Sequence, residues 1–414
     1  MRSVTDRPAS SLTDGTEAID ETLDIVRLLW PPPHQVTTAG PSLRQRGFAV
    51  LPNAVRPTRL VPDNRSGSTA DALSGAAGKA GLMGQLRRKA LTGGVRAGLL
   101  RFTPTGVAIA EEAGAPSLIA RLSAIFDETL TTSIHLGPPR ANRKPVLNVV
   151  NAAGRTVAFV KVGINPLTRS LVCAEGKALT RIGAAPLRAV QVPQVLHEET
   201  WGDLRILCLS PLDTSTSRPA PLTLVQQAMV EISEALGTDS VAVGDSDHLQ
   251  GLRSNAAALS SPQGRLLVGA LDRLRESFGH LSVATGAWHG DWTPWNMSWS
   301  GDVVNVWDWE RLQRGVPLGM DALHLQIQRS LRVPGSDAAR VTAEHVGRRQ
   351  EILAPWGHDA VTSTITTLVY LLTLGCRYAV DGQEEAGARL GRLDDWLFPV
   401  VDQLLHERGP GRER

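Results

Sequence analysis

Hydrophobic positions alternate in the middle of the chain and recur at helical spacings in its second half. Between residues 131 and 162, three short apolar runs are separated by loop and turn residues, a pattern that predicts an antiparallel meander. The predicted strands are Thr131–Leu136, Val146–Val150 and Thr156–Val162, and a fourth is predicted at Leu204–Leu209. Strands become scarce after residue 213, so the pattern predicts a sheet-rich lobe followed by a helix-rich lobe.

Helical periodicity dominates the second half of the chain. A helix carrying Glu175 is predicted directly after the meander, and the later helices are predicted at Leu222–Leu236, Arg265–Phe278, Asp321–Leu331, Ala343–Leu353, Ala360–Val380 and Glu385–Leu405. The predicted fold class is therefore α+β, with an antiparallel-sheet N-terminal lobe over 128–213 and a mainly helical C-terminal lobe over 214–405.

The first third of the chain lies outside these two lobes. Residues 1–40 are polar and end in Trp30-Pro-Pro-Pro33, which favours a flexible segment outside the core. Residues 41–127 form an extra N-terminal region of unknown role, with one strand-like stretch at Gly47–Pro52. The tail, residues 406–414, is predicted to be disordered.

A basic stretch within this region has two interpretations. Residues 81–101 carry five basic residues and no acidic one. They fit a basic amphipathic helix that touches a membrane surface or an anionic partner. They also fit a solvated helix face whose leucines turn into the core. This second interpretation is favoured because runs of charged residues usually form no more than a solvent-exposed surface.

Composition excludes several classes of protein. The 414 residues include 43 Lys and Arg against 41 Asp and Glu, a net charge of +2 that argues against a dedicated nucleic-acid binder. Three widely spaced cysteines form neither a disulfide framework nor a metal-site spacing, which favours a reducing, cytoplasmic setting. The longest apolar run, Leu368–Leu374, is shorter than the roughly 20 residues of a transmembrane helix. The N-terminus lacks the apolar segment of a signal peptide.

The candidate chemistry lies between residues 288 and 310. After Asn296 the sequence predicts a β-hairpin whose two-residue loop is Gly301-Asp302. In that register the numbers of facing residues sum to 603, so Asn296 faces Trp307 and lies beside Asp308. Asp291 precedes Asn296 by five residues and can reach the same place. Two carboxylates and an amide oxygen suit a hard divalent cation, typically Mg²⁺ with nucleotide phosphates.

This motif resembles a known family. His289-Gly-Asp291, four residues, Asn296 and a hairpin ending in Asp308 are similar to the signature of the aminoglycoside phosphotransferase and choline kinase branch of the protein-kinase-like superfamily. Gly315–Asp321, at the start of the next helix, also resembles that branch. Lys161 in a strand and Glu175 fourteen residues later agree in order and spacing. The resemblance covers about 128–405 and implies a bilobal protein-kinase-like fold with an extra N-terminal region.

The resemblance implies a role for each residue. Asp291 would accept or orient the proton of the substrate hydroxyl. Asn296 and Asp308 would hold Mg²⁺. Lys161 would bind the α- and β-phosphates of the nucleotide, and Glu175 would position that lysine.

Two further segments are expected to bind the nucleotide. Leu209–Asp213 should connect the lobes, with the backbone of Ser210 and Leu212 binding the adenine edge. The loop at 137–144 departs from the family because it has one glycine where a glycine-rich loop would cover the phosphates. Its basic residues, Arg140, Arg143 and Lys144, either supply charge to the phosphates or are solvated, and the sequence leaves this open.

Several neighbours of the motif have structural interpretations. His289 is expected to be a hydrogen-bonding core residue, because Asp291 already fills the role of base. Asp321 is expected to cap its helix and brace the loop. Glu310 either approaches the metal or belongs to a salt bridge. Trp292 and Trp295 either stack on a substrate or pack beneath the loop, and packing is favoured.

The sequence therefore predicts a phosphotransferase that moves the γ-phosphate of ATP or GTP to a hydroxyl of a small molecule. A sugar, an amino alcohol and an aminocyclitol are all compatible acceptors. The alternative is a catalytically inactive nucleotide-binding regulator with the same fold, which the unusual 137–144 loop and the additional first third both favour.

Overall fold

The computed structural model describes residues 10–40, 47–62, 105–137, 140–214, 219–333, 335–386 and 388–407, with side chains described from residue 17 onward. The basic stretch 81–101 and residues 408–414 lie outside the described residues. The chain divides into two compact units. The first comprises Met1–Pro139, Arg143–Val172 and Val195–Pro211, and the second comprises Arg140–Asn142, Cys173–Gln194 and Leu212–Arg414.

The first unit is built on a nine-stranded antiparallel sheet with the order β1-β4-β2-β3-β5-β6-β7-β10-β9. Its strands are β1 (Gln35–Ala39), β2 (Phe48–Leu51), β3 (Arg59–Pro62), β4 (Gly106–Ala110), β5 (Leu130–His135), β6 (Val146–Asn151), β7 (Thr156–Gly163), β9 (Val195–Trp201) and β10 (Leu204–Leu209), while β8 (Val190–Gln191) belongs to the second unit. The predicted meander and the predicted strand at 204–209 are confirmed. The described strands of residues 41–127 belong to this same sheet, so they do not form a separate region.

The expectation that residues 1–40 form a flexible segment is wrong for the described part. Helix α1 (Ser10–Leu29) packs on the sheet, and its buried residues share one core cluster with strands β2 to β7. Among them, Ile19, Leu23 and Val26, with Trp30 directly after the helix, recur at spacings of four, three and four. That spacing is helical, but the polar composition around it and the three prolines after it masked the pattern.

Arg143 connects the 137–144 loop to α1. Its side chain is buried, donates to the carbonyls of Leu136 and Pro57 at 3.3 and 3.2 Å, and forms an ion pair of 2.7 Å with Glu21. The solvated alternative for Arg143 is therefore wrong, and a phosphate contact stays a prediction. A second helix of this unit, α2 (Leu118–Phe126), is capped by the side chain of Ser117.

The second unit is mainly helical and carries two small sheets. One sheet has the order β11-β12-β15 and the other β13-β14-β8. The strands are β11 (Asp239–Ala242), β12 (Ser282–Trp288), β13 (Met297–Ser300), β14 (Val303–Val306) and β15 (Gln313–Pro317). Helix α3 (Pro166–Ile182) begins in the first unit and ends in the second. The remaining helices are α4 (Leu222–Glu234), α5 (Asp247–Ala257), α6 (Pro262–Phe278), α7 (Met320–Leu331), α8 (Ala338–Gly347), α9 (Arg349–Leu353), α10 (Ala360–Val380) and α11 (Leu397–His406).

Helix α10 lies at the centre of this unit. Its 21 residues are long and apolar enough to cross a membrane by length and composition, but 78% of its most apolar window is buried inside the fold. Serine and threonine interrupt the apolar run, which is why the sequence pattern indicates a shorter stretch. The neighbours of α10, chiefly α5, α6 and α11, contribute leucines and aromatic residues to the same core cluster.

Substitutions of Leu28 and Leu29 test the packing of α1 against the sheet. Leu29 is fully buried, whereas Leu28 is 41% exposed. We expect Leu29→Ala to lower the free energy of unfolding by about 2–5 kcal/mol, because it leaves a cavity in the core. Leu28→Ala should change it by about 0.5 kcal/mol or less. Urea unfolding of both variants measures the difference, and equal small losses would contradict the burial of α1.

Candidate active site

The 289–296 loop connects the central strand β12 to the hairpin formed by β13 and β14. The hairpin has the predicted register, since Met297 faces Val306 and Ser300 faces Val303. The backbone N–H of Trp307 donates to the carbonyl of Asn296 at 3.1 Å, which extends the ladder to the end of the loop. The sequence prediction of the hairpin and its register is therefore confirmed.

Helix α7 holds the backbone of this loop. The carboxylate of Asp321 accepts the N–H groups of His289 and Gly290, at 2.7 and 3.0 Å. Arg377 of α10 donates to the carbonyl of Gly290 at 2.6 Å. Asp321 thus braces the loop as predicted, but it does not cap its helix, because Gly319 occupies the N-cap position and no side chain caps it.

Gly290 is the sharpest point of the loop. Its φ is +84°, a conformation that favours glycine. A Cβ atom at this position would lie 2.4 Å from the carbonyl oxygen of Arg311. The loop can therefore approach the Arg311 backbone only with glycine here.

His289 is a structural residue of the loop, as the sequence indicates. It is fully buried and its ring packs edge-on against Trp309, with 4.6 Å between ring centroids. Its Nε2 donates to the carbonyl of Trp307 at 3.0 Å, and its Nδ1 accepts the N–H of Asp291 at 3.1 Å. Burial lowers the pKa of His289 to about 4, so the ring is neutral near pH 7.

Asp291 is held on both sides of its carboxylate. Asn296 donates from its amide nitrogen to Oδ2 at 2.8 Å and to the Asp291 carbonyl at 3.0 Å. The imidazole Nε2 of His324, a residue that the sequence motif did not single out, lies 3.1 Å from Oδ1. The Asp291 side chain is 39% exposed, so a molecule from solution can reach it. Burial raises the pKa of Asp291, but the interaction with His324, chiefly its hydrogen bond, outweighs it and leaves this pKa below its usual value.

A second group of carboxylates lies at the end of the hairpin. Side-chain oxygens of Glu175, Asp308 and Glu310 lie within 4.8 Å of one another. Asp308 has a φ of +70°, an uncommon conformation for a residue with a Cβ atom, and the chain turns there into the short 3₁₀ helix Trp309–Arg311. Glu175 is fully buried and accepts the N–H of Trp309 at 3.1 Å, so it also holds this turn.

The donor chemistry of these residues fits Mg²⁺. Carboxylate and amide oxygens are the ligands of hard divalent cations. The side chain of Asn296 uses only its Nδ2 in hydrogen bonds to described residues, which leaves its Oδ1 for a cation. The charges of Asp291 and Asp308 affect each other, because Asp308 raises the pKa of Asp291. The structure therefore brings together Asp291, Asn296, Asp308 and Glu175 in the second unit, and adds Glu310.

The predicted nucleotide-binding residues lie in different parts of the fold. Lys161 is buried in β7 of the first unit, between β6 and β10, and Ser210 follows β10 at the end of that unit. Leu212 is the first residue of the next segment of the second unit, in which the neighbouring carbonyl of Asp213 accepts the side chains of Ser298 and Asn305. The pairing of Lys161 with Glu175 and the adenine contacts stay predictions.

Two tryptophans belong to the 289–296 loop, and the side chain of Arg332 contacts one of them. Trp292 is fully buried and its indole N–H contacts Sδ of Met297 at 3.3 Å, so it packs beneath the loop. Trp295 is partly exposed, and the guanidinium of Arg332 lies 3.7 Å from its ring centroid. Arg140 is exposed, and its charge lowers the pKa of Arg332 after the larger effect of burial.

Comparisons with known proteins return similar structures only. No protein-family model and no curated protein matches the sequence. A protein described as a fructosamine-3-kinase, from Haemophilus somnus 129PT, is 16% identical with a TM-score of 0.42, over 70% of this chain and 97% of its own. A thermostable variant of aminoglycoside phosphotransferase APH(4)-Ia, in a complex with AMP-PNP and hygromycin B, is 18% identical with a TM-score of 0.46, over 72% of this chain and 100% of its own. A choline/ethanolamine kinase family protein from Mesorhizobium loti is 12% identical with a TM-score of 0.40, over 64% of this chain and 86% of its own.

All three TM-scores are below 0.5, so these likenesses carry no conclusion about the activity of this chain.

Substitution of Gly290 tests the close approach of the loop. Gly315 has a similar φ of +67° but open space around it, so it is a matched control. We expect Gly290→Ala to lower the free energy of unfolding by about 1–3 kcal/mol more than Gly315→Ala, because only the former forces a backbone displacement. Chemical denaturation measures both. Equal effects would mean that the loop does not need to approach Arg311.

The buried His289 predicts a pH effect on stability. Its pKa is about 4 in the folded protein and about 6.5 when unfolded, so the unfolded state binds more protons between these values and stability falls as pH falls. We expect the wild type to lose about 2 kcal/mol more than His289→Gln between pH 7 and pH 5. The wild type and His289→Gln both contain Asp321, so its titration cancels from the difference between their stabilities. Parallel pH profiles of unfolding free energy would contradict this.

Proposed function

We propose that the protein is a phosphotransferase that moves the γ-phosphate of ATP or GTP to a hydroxyl group of a small molecule. The observation that carries the proposal is the Asp291 carboxylate, which is partly exposed, hydrogen-bonded on both oxygens and affected by the charge of Asp308. A sugar, an amino alcohol or an aminocyclitol is the proposed class of acceptor.

Asp291 supplies the proton acceptor. Among the described residues, each of its carboxylate oxygens accepts one side-chain hydrogen bond, which leaves each a further lone pair. An acceptor hydroxyl that donates to one of these lone pairs would keep a lone pair on its own oxygen with which to attack the γ-phosphorus. As the new oxygen–phosphorus bond forms, the bond from the γ-phosphorus to the bridging oxygen breaks. The proton passes to Asp291, and the nucleoside diphosphate leaves.

The other predicted residues bind the nucleotide in this proposal. Lys161 holds the α- and β-phosphates and Glu175 positions it, while Arg140 adds positive charge at the phosphates. The backbone at Ser210 and Leu212 binds the adenine edge. Asn296 and Asp308 would hold Mg²⁺, which when bound would neutralise the negative charge that develops on the phosphates during transfer.

Substitution of Asp291 tests this function. Purified protein is incubated with ATP or GTP, Mg²⁺ and a panel of sugars, amino alcohols and aminocyclitols, and products are read by mass spectrometry. We expect a phosphorylated acceptor, and a loss of about 100-fold or more in Asp291→Asn, because the proton acceptor is removed. Asp302→Asn, an exposed aspartate in the hairpin turn, is the matched control and should keep full activity.

Two results would contradict the proposal. Full activity of Asp291→Asn would remove Asp291 from the chemistry. A rise in melting temperature with ATP or GTP, but no phosphorylated product across the whole panel, would favour the non-catalytic regulator.

A further inference from the structure

The imidazole of His324 lies between Asp291 and a buried tyrosine. Its Nε2 is 3.1 Å from Oδ1 of Asp291, and its Nδ1 is 3.3 Å from the hydroxyl of Tyr370. His324 is 1% exposed and Tyr370 is fully buried in α10. The three side chains therefore form a continuous hydrogen-bonded row from the helical core to the exposed carboxylate.

The direction of each hydrogen bond follows from the partners. An ionised carboxylate can only accept, so Nε2 of His324 carries the hydrogen and donates to Asp291. Burial lowers the pKa of His324, which favours a neutral ring whose Nδ1 accepts the hydroxyl hydrogen of Tyr370. The ring is thus held in one tautomer and one orientation by its two neighbours.

Helix α7 places this ring at the loop. Asp321 and His324 are three residues apart and lie on the same face of the helix. Asp321 holds the backbone of the 289–296 loop, and His324 holds the side chain of Asp291 in that same loop. Tyr370 also packs against Trp288 at the end of β12, with 6.3 Å between their ring centroids. This contact supports the hydrogen-bonded row of Tyr370, His324 and Asp291.

We propose that His324 is a positioning residue for phosphoryl transfer, fixing the orientation of the Asp291 carboxylate while Tyr370 fixes the imidazole. This inference rests on the proposed function. Asn296 holds Oδ2 and His324 holds Oδ1, so loss of either donor lets the carboxylate rotate about its own side-chain bonds. The expected consequence is slower transfer with nucleotide binding preserved, since His324 contacts Asp291 and not the predicted nucleotide-binding residues.

Three variants of the full chain test the proposal. His324→Ala removes the donor, and we expect kcat to fall roughly 10- to 100-fold, with the KM for nucleotide within about twofold of the wild type. His324→Gln keeps an N–H at the end of the side chain and should recover most of kcat. Tyr370→Phe removes only the outer hydrogen bond, and a smaller fall in kcat is expected, about fivefold. These constants are measured with an acceptor found in the panel.

A matched control separates positioning from folding. His345 in α8 is also buried, and its Nε2 bonds to Ser330 at 2.9 Å. His345→Ala should lower the melting temperature but leave kcat unchanged. If His324→Ala keeps the kcat of the wild type, or if His324→Gln is as slow as His324→Ala, the positioning role is overturned.

A spectroscopic readout does not depend on activity. ¹⁵N spectra of histidine-labelled protein, with His324→Gln used to assign the signal, should show a hydrogen on Nε2 of His324. A bare Nε2 would overturn the inference. The two proposals fail differently: wild-type activity in Asp291→Asn removes the proposed function, whereas an inactive Asp291→Asn beside a fully active His324→Ala removes only the role of His324.

Discussion

Two backbone N–H groups, those of His289 and Gly290, donate to the buried carboxylate of Asp321, and the rest of the site depends on this pair of hydrogen bonds. Bonds to a charged acceptor in a region of low dielectric are strong, so they fix the start of the 289–296 loop against α7. Burial opposes the charge and raises the pKa of Asp321 to about 7, while the nearby Arg377 favours the ionised form. The two backbone hydrogen bonds and Arg377 thus offset part of the cost of burying this carboxylate.

Because the loop backbone is fixed, the positions of the candidate site's side chains are set by the elements next to it. Asn296 reaches back to Asp291 because the hairpin register is set by its two-residue turn, and Asp308 follows the second strand at the same open end of the hairpin. The N–H of Trp309 donates to the buried Glu175, which brings a carboxylate from α3 to the turn that Asp308 opens. Local hydrogen bonds thus gather groups from a helix, a loop and a hairpin within the second unit.

Sequence reasoning was strongest where local chemistry decides the structure. The hairpin, its register and the meander follow from turn residues and alternation, and they are confirmed in detail. His324 escaped notice because its importance depends on a contact across 33 residues, and a histidine on a helix has no local signature. Strand β9 was missed because its polar residues at 197–200 hide an edge strand, and α1 because its apolar residues are sparse. In each case tertiary packing determines the structure, and the local sequence pattern does not show that packing.

The ion pair between Arg143 and Glu21 has a practical consequence for experiments that shorten the protein. The part that resembles a kinase begins near residue 128, and removal of everything before it would seem harmless from the sequence. Such a chain would lose α1 and strands β1 to β4, leaving one face of β5 and β6 without the apolar residues that cover it. Exposed sheet edges and apolar faces promote aggregation. Soluble expression of residues 128–405 therefore requires α1 and strands β1 to β4.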